Sequence, residues 1–386
     1  MGISTQSRGT RLASFDPDQF GQPTGREEEW RFTPIGELQR LFTSELTGQV
    51  TIETTLSPGA PITVEQVGRN HPAIGLAPPP GDRLAAAAWA AWPTATVVTL
   101  HGNQADAVAS VRVIGRDTPA SNQNQPSAAH LVVLAQANAR GTVILEHRGR
   151  AELTQGVEIV LEEGADVTVV AVHHWDPGTI HAASHRARVG KDARLRHVVV
   201  SLGGAVQRVT PHLELAGSGA QVEALGINVT SSGQHHEAQL FVDHAAPHCQ
   251  SRVTYKGALL EPLARSVWIG DVLIRAQAEG TDTYEENRNL VLTKGAQADS
   301  VPNLEIQTGR IEGAGHASAT GRFDEEQLFY LQARGIPEDQ ARSMVVHAFF
   351  TELISRIGQP EIEAALRAAV DAKLEPTTPN QQGAEE

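Results

Sequence analysis

Cysteine is almost missing from this 386-residue sequence. The single Cys249 excludes an intramolecular disulfide and suits a reducing cytoplasm. Aromatic residues make up only 4%, too few for the stacking platforms of a polysaccharide-binding surface. No apolar run approaches the ~20 residues of a membrane span. The opening "MGISTQSRGTRLASF" has no apolar signal-peptide core, and Gln6 breaks the myristoylation pattern. There is no dense Lys/Arg block, and 31 basic against 45 acidic residues give a net charge of −14. Nucleic acid and anionic membrane surfaces are therefore poor partners. A G-x-S-x-G elbow, HExxH and CxxC are absent, and the only Gly-Lys pair, Gly190-Lys191, runs into Asp192 instead of a Walker A Ser/Thr. This composition points away from a serine hydrolase, a zincin and an ATPase.

What is present falls into three regions. Residues 1–95 form an N-terminal mixed or helical region. "TPIGELQRLFTSEL" predicts a short helix capped by Thr33 with Pro34 first in the helix, and "RLAAAAWAAW" predicts about two helical turns. Residues 96–322 carry short Val/Ile/Leu runs such as "GTVILEHRG", "DVTVVAV" and "RLRHVVVSL", separated by Gly, Asn, Asp and Ser. That is strand-and-turn texture without a helical period. "EGADVTVVAV", "GKDARLRHVVV" and "GSGAQVEALGI" align on Val167, Leu195 and Val222, with spacings of 195 − 167 = 28 and 222 − 195 = 27. Such repeats suit a stacked solenoid, and the absence of Asn-Gly and Asp-Gly disfavours a hairpin-built sandwich. The fold expected is mainly β, a parallel β-helix between terminal helical regions.

Residues 323–386 turn helical. Asp324 and Gln327 make a capping-box-like start, Gly335 suits a C′ position, and Pro337 opens a second helix. Its buried face is expected at Met344, Val345, Ala348, Phe349, Leu353 and Ile354. "PEIEAALRAAVDAKL" is a third helix, followed by a polar tail expected to be disordered.

Twelve of the sixteen histidines lie between His130 and His248. Imidazole and thiolate are zinc ligands, so "HHW" and "QHHEAQLFVDHAAPHCQS" raise a metal site. Adjacent histidines on a strand point to opposite faces, however, and these residues read as turn and surface positions, with transient metal contact by one or two as the alternative. Cys249 reads as a small buried hydrophobe, although the neighbouring His248 leaves a lowered thiol pKa open. Asp271, Asp282, Glu285, Glu286, Asp299 and Glu305 could supply paired carboxylates of a polysaccharide-acting β-helix enzyme. Solvated strand edges and turn caps are the stronger reading.

"TDTYEENRNLVLTKGAQADSVPNLEI" and "HASATGRFDEEQLFYLQARGI" closely resemble the SufB/SufD family of iron–sulfur cluster assembly scaffolds, as do "HHEAQLFVDHAAPHCQSRVTYKG" and "GREEEWRFTPI". The likeness is strong over residues 235–340 and 25–35 and is one of texture between them. "HASATG" departs from the usual "HGATVG" at Ala317, Ser318, Ala319 and Thr320. A short chain with one cysteine favours the SufD branch over SufB. The resemblance implies a right-handed parallel β-helix, and a non-catalytic scaffold role beside a SufB-like chain and a SufC-like ABC ATPase that uses ATP. The ATPase is expected at the C-terminal helices, where Arg334, Gly335, Ile336 and Pro337 are assigned to contact. A homodimer is open when SufB is absent. His316 matches the family histidine at the SufB–SufD interface, and with Cys249 it is a candidate for transient iron or cluster contact, no cofactor being tightly bound. A SufB-like paralogue that holds the nascent cluster is the alternative.

Overall fold

The computed structural model describes residues 7–43, 45–104, 106–115, 125–323 and 325–374. Expectations for Asp324 and for the tail after residue 374 lie outside these residues. The chain is mainly β, with 47% strand and 17% helix, and winds as a parallel β-solenoid of about 7 turns. From Ala95–Leu100 onward, successive strands alternate between two nine-stranded sheets. The first sheet runs from Val50–Leu56 to Gly313–Arg322, and the second from Ile62–Val67 to Gln297–Ile306. The repeat seen in the sequence is the strand register itself, because Leu195 pairs with Val167 on one side and Val222 on the other.

One corner of the coil explains the missing hairpin dipeptides. Asn138, Gly164, Asp192, Gly219, His248 and Gly280 all have positive φ. They stack one per turn, each N–H bonding a carbonyl of the next coil, as in Asn138 to Glu163 O at 2.9 Å and His248 to Glu279 O at 2.7 Å. A single left-handed residue bends the strand without reversing it, so no two-residue hairpin turn is needed.

The two ends of the solenoid differ. At the start, Val50–Leu56 and Ile62–Val67 pair antiparallel with Val108–Gly115 and Ala95–Leu100. The sheets thus begin ahead of the 96 boundary expected from texture. At the far end Gln297–Ile306 and Gly313–Arg322 are edge strands whose residues are half-buried or exposed. Pro302 stands in the first of them, and proline belongs on an edge because it has no N–H to donate.

The helices are α1 (Ile35–Leu38), α2 (Arg83–Ala91), α3 (Glu325–Gln332), α4 (Glu338–Ser355) and α5 (Pro360–Leu374). Asp82 caps α2, its Oδ1 accepting from the Ala85 N–H at 2.7 Å. Thr33 does not cap α1; its hydroxyl donates instead to buried Glu237 Oε1 at 2.7 Å. That bond belongs to a network pinning the N-terminal segment to the second sheet. Arg208 sits between Asp82 (2.9 Å) and Glu237 (3.2 Å), its guanidinium 4.1 Å from the Trp30 ring.

Helices α4 and α5 cover the first sheet. Val346, Phe350, Leu353, Ile354 and Ile357 pack with Leu366 and Val370 on Val170, Val198, Leu225 and Ile227. Of the face expected for α4, Leu353 and Ile354 are buried and Val345 and Phe349 half-buried. Met344 is exposed, as is Ala348, while Val346 and Phe350 are buried.

Candidate functional site

Strands buried on both faces place alternate side chains inside the coil. One side of that interior is aliphatic, including Val143, Leu145, Val167, Val169, Leu195 and Leu213. The other side collects His147, His173, His181, His185, His197 and His236, each fully buried. The surface reading of the histidine clusters is thus overturned for most of them. Only His248, at its left-handed corner, is exposed, and His174 is half-buried. Adjacent histidines do face opposite ways, but the outer face of the strand is covered too.

Burial holds these rings neutral. It lowers His147 and His197 to about 4 and His236 to about 3, and takes His173, His181 and His185 well below the usual imidazole value.

Cys249 lies in the aliphatic interior at 1% exposure, its thiol donating to Gly217 O at 3.3 Å. Burial pushes the thiol up to about 11, so the lowered pKa left open by its neighbour His248 does not arise. Cys249 precedes the strand Gln250–Leu259, two rungs and several residues from His316. At ~4.8 Å per rung and ~3.3 Å per residue the two are on the order of 15 Å apart and do not form one site.

His316 stands in the last strand of the first sheet, 43% exposed, in register with Glu285 of Asp282–Val291. Its Nδ1 lies 3.8 Å from Glu285 Oε1. Among the acidic residues of the sequence, Glu285 is the one that structure sets apart. It is 1% exposed, and neither carboxylate oxygen has a hydrogen-bond partner. Burial, then the Asp271 charge, pushes its pKa up to about 8. Gly270 makes room for it: a Cβ there would lie 2.5 Å from Glu285 Oε2 and 2.4 Å from the Trp268 ring. By contrast Asp282, Asp299 and Glu286 are ordinary ion pairs with Arg252, Arg265 and Arg288.

The same strand aligns Asn287 and Asn289. The Asn289 amide donates to Asn287 Oδ1 (2.8 Å), Ser300 Oγ (3.0 Å) and Thr320 Oγ1 (3.4 Å). The segment "YEENRNL" is therefore what locks the last coils together and what carries Glu285 beneath His316. In the sequence Glu285 is only one of six acidic candidates read as solvated, because strand alternation does not reveal which face a doubly covered strand turns inward.

The turn after α3 is exposed at Arg334, Gly335 and Pro337, whereas Ile336 is half-buried against Phe323, Leu328 and Ala341. Gly335 has φ +83°, which only glycine adopts cheaply. Arg334 lies 4.4 Å over the Tyr330 ring, and Phe329 and Tyr330 are 72% and 55% exposed.

The fold is thus a parallel β-solenoid whose far edge is open and carries an exposed imidazole over a buried carboxyl. The profile of the SUF system FeS cluster assembly SufBD core domain matches residues 118–349. The iron-sulfur cluster assembly SufBD family protein Rv1462 of Mycobacterium tuberculosis is 46% identical over 379 residues, covering 96% of this chain and 94% of the relative. Its Mycobacterium leprae counterpart ML0594 is 44% identical, with 96% and 95% covered. The Escherichia coli iron-sulfur cluster assembly protein SufD is 27% identical over 199 residues, 52% of this chain and 47% of that protein. The chain belongs to the SufBD family of iron–sulfur cluster assembly proteins.

Proposed function

We propose that the chain is a SufD-type, non-catalytic scaffold subunit of a cytoplasmic complex with a SufB-like chain and a SufC-like ABC ATPase. The single observation that carries this reading is His316 over Glu285 at the open edge of the solenoid. An exposed imidazole and a carboxyl that gives up its proton on demand are an N,O donor pair suited to iron(II). Iron or a nascent cluster is cargo at this edge, passed between chains. Unpaired backbone groups of Gly313–Arg322 and Gln297–Ile306 can pair with a second chain, a SufB-like partner or, in isolation, another copy. The exposed α3 and its Arg334–Pro337 turn face the ATPase, which supplies ATP hydrolysis. A SufB-like role in holding a cluster alone is disfavoured, since a conventional cluster takes about four thiolates and Cys249 is buried.

Co-expression with the SufB-like chain and the ABC ATPase, followed by affinity capture, tests this function. A stable three-component complex is expected. His316→Ala should keep the complex and lower its yield of assembled cluster. A folded chain that captures neither partner overturns the scaffold reading, and an unchanged cluster yield removes His316 from the chemistry.

A further inference from the structure

We propose that the histidine-lined interior is a second metal site, in which His147, His173 and His181 bind one iron(II) or zinc(II) ion. The three residues come from the strands Arg140–Gly149, Asp166–His173 and Ile180–Val189, so both sheets contribute. One ligand nitrogen from each falls within 4.8 Å of the others, the one such group of His, Cys, Asp or Glu among the described residues. Tetrahedral Zn–N bonds of ~2.0–2.1 Å place nitrogens about 3.4 Å apart, so small ring rotations close the site.

The rings show unspent bonding capacity. The Trp175 indole N–H donates to His181 Nδ1 at 3.1 Å, which fixes that nitrogen as an acceptor and leaves the proton on Nε2. His173 Nδ1 lies 3.1 Å from the same atom and must donate to it, so His173 Nε2 is a bare lone pair. Neither Nε2 has a partner, although both residues are fully buried. Unpaired polar atoms in such a setting cost roughly 1–3 kcal/mol each and call for an explanation. A metal accounts for the first: it would take the His173 Nε2 lone pair and, once the N–H donors now on it turn away, the His181 Nδ1 lone pair, the His181 proton staying on Nε2. His147 has a partner of the kind that orients metal-ligating imidazoles, Gln155 Oε1 at 2.7 Å from Nε2, and the Nδ1 that would ligate lies 3.3 Å from the Val172 carbonyl, a contact the metal would replace. Imidazole donors without a carboxylate among them select iron, zinc or copper over calcium or magnesium. Neutral rings are the ligating form, and burial keeps these rings neutral.

The site is independent of His316, which lies in the last strand. The full chain is loaded anaerobically with Fe²⁺ or Zn²⁺, desalted, and its metal content measured by mass spectrometry. About one equivalent is expected to remain with the wild-type chain, and at least ~10-fold less with His173→Leu or His181→Leu. Circular dichroism reports whether each variant folds. Should these variants unfold, X-ray absorption of the loaded wild-type chain decides, the expected first shell being nitrogen or oxygen with imidazole scattering. No retained metal, metal kept by folded His173→Leu and His181→Leu, or a shell without imidazole overturns the site.

Discussion

His316 Nδ1 lies 3.8 Å from Glu285 Oε1, across the last parallel pair of the first sheet, with the imidazole exposed and the carboxyl beneath it buried. The folded chain holds the Glu285 proton up to about pH 8, whereas a free carboxyl releases it near 4.5. The native state therefore binds more protons than the unfolded state in that window, and this group makes stability fall as pH rises from 4.5 to 8. Glu285→Gln keeps the neutral shape and removes the titration. Urea unfolding should show the variant near wild-type stability at pH 5 and clearly above it at pH 8.5. An equal difference at both pH values sinks the assignment. In the complex, the same variant should lower cluster yield, because the neutral amide can no longer become an anionic ligand.

Arg208 and Glu237 hold the N-terminal segment on the second sheet through a buried contact shared with Asp82 and Thr33. Burial alone would raise Glu237, but the His235 hydrogen bond and the Arg208 charge hold it below the usual carboxylate range. Removing Glu237 leaves buried Arg208 with Asp82 alone and opens a gap beneath Thr33 and His235. Glu237→Ala is expected to cost about 3–5 kcal/mol in chemical denaturation. A double Glu237→Leu, Arg208→Met variant should recover part of that loss, since the Arg208 charge is then gone and Asp82 keeps its cap on the α2 N-terminus. If the double variant is no more stable than the single one, the charge pairing is not what matters.

Leu263 has φ +64° and is 74% exposed, so it bears left-handed strain without a packing return. The left-handed region costs a non-glycine residue ~1–2 kcal/mol, partly offset by the extra chain entropy of glycine. Leu263→Gly should therefore raise stability by about 0.5–1 kcal/mol, read as a higher denaturation midpoint with an unchanged slope. A lower midpoint would place Leu263 in a contact that matters.

How much of this was legible in the chain differs from element to element. Val167, Leu195 and Val222 gave the coil spacing because a solenoid repeats its register in sequence. The break near residue 322 was legible because helix and strand have different periods. Facing was not. Strands covered on both sides bury odd and even positions alike, so His173 and His181 looked no more interior than His174. The same ambiguity hid Glu285 among acidic residues that are surface ion pairs. In α4 the apolar residues spread over more than half the circumference, and the sheet chose Val346 and Phe350 over Met344. His316 had no distinguishing local pattern at all; only the family motif marked it.

Phe329 and Tyr330 stand exposed on α3 while Leu328 beside them is buried against Phe323 and Ala341. Large exposed aromatics next to a packed helix face are typical anchors of a partner contact, and single anchors of this kind commonly carry 2 kcal/mol or more of binding. Arg334, lying over the Tyr330 ring, extends the same patch to the Gly335 turn. Phe329→Ser with Tyr330→Ser should leave thermal stability within about 0.5 kcal/mol, because neither ring fills the core. Affinity for the ABC ATPase, measured by calorimetry on the full chain, should fall at least tenfold, while capture of the SufB-like chain is unchanged. Loss of both partners together would mean that the patch supports the fold, and unchanged ATPase affinity would move the contact elsewhere on the C-terminal helices.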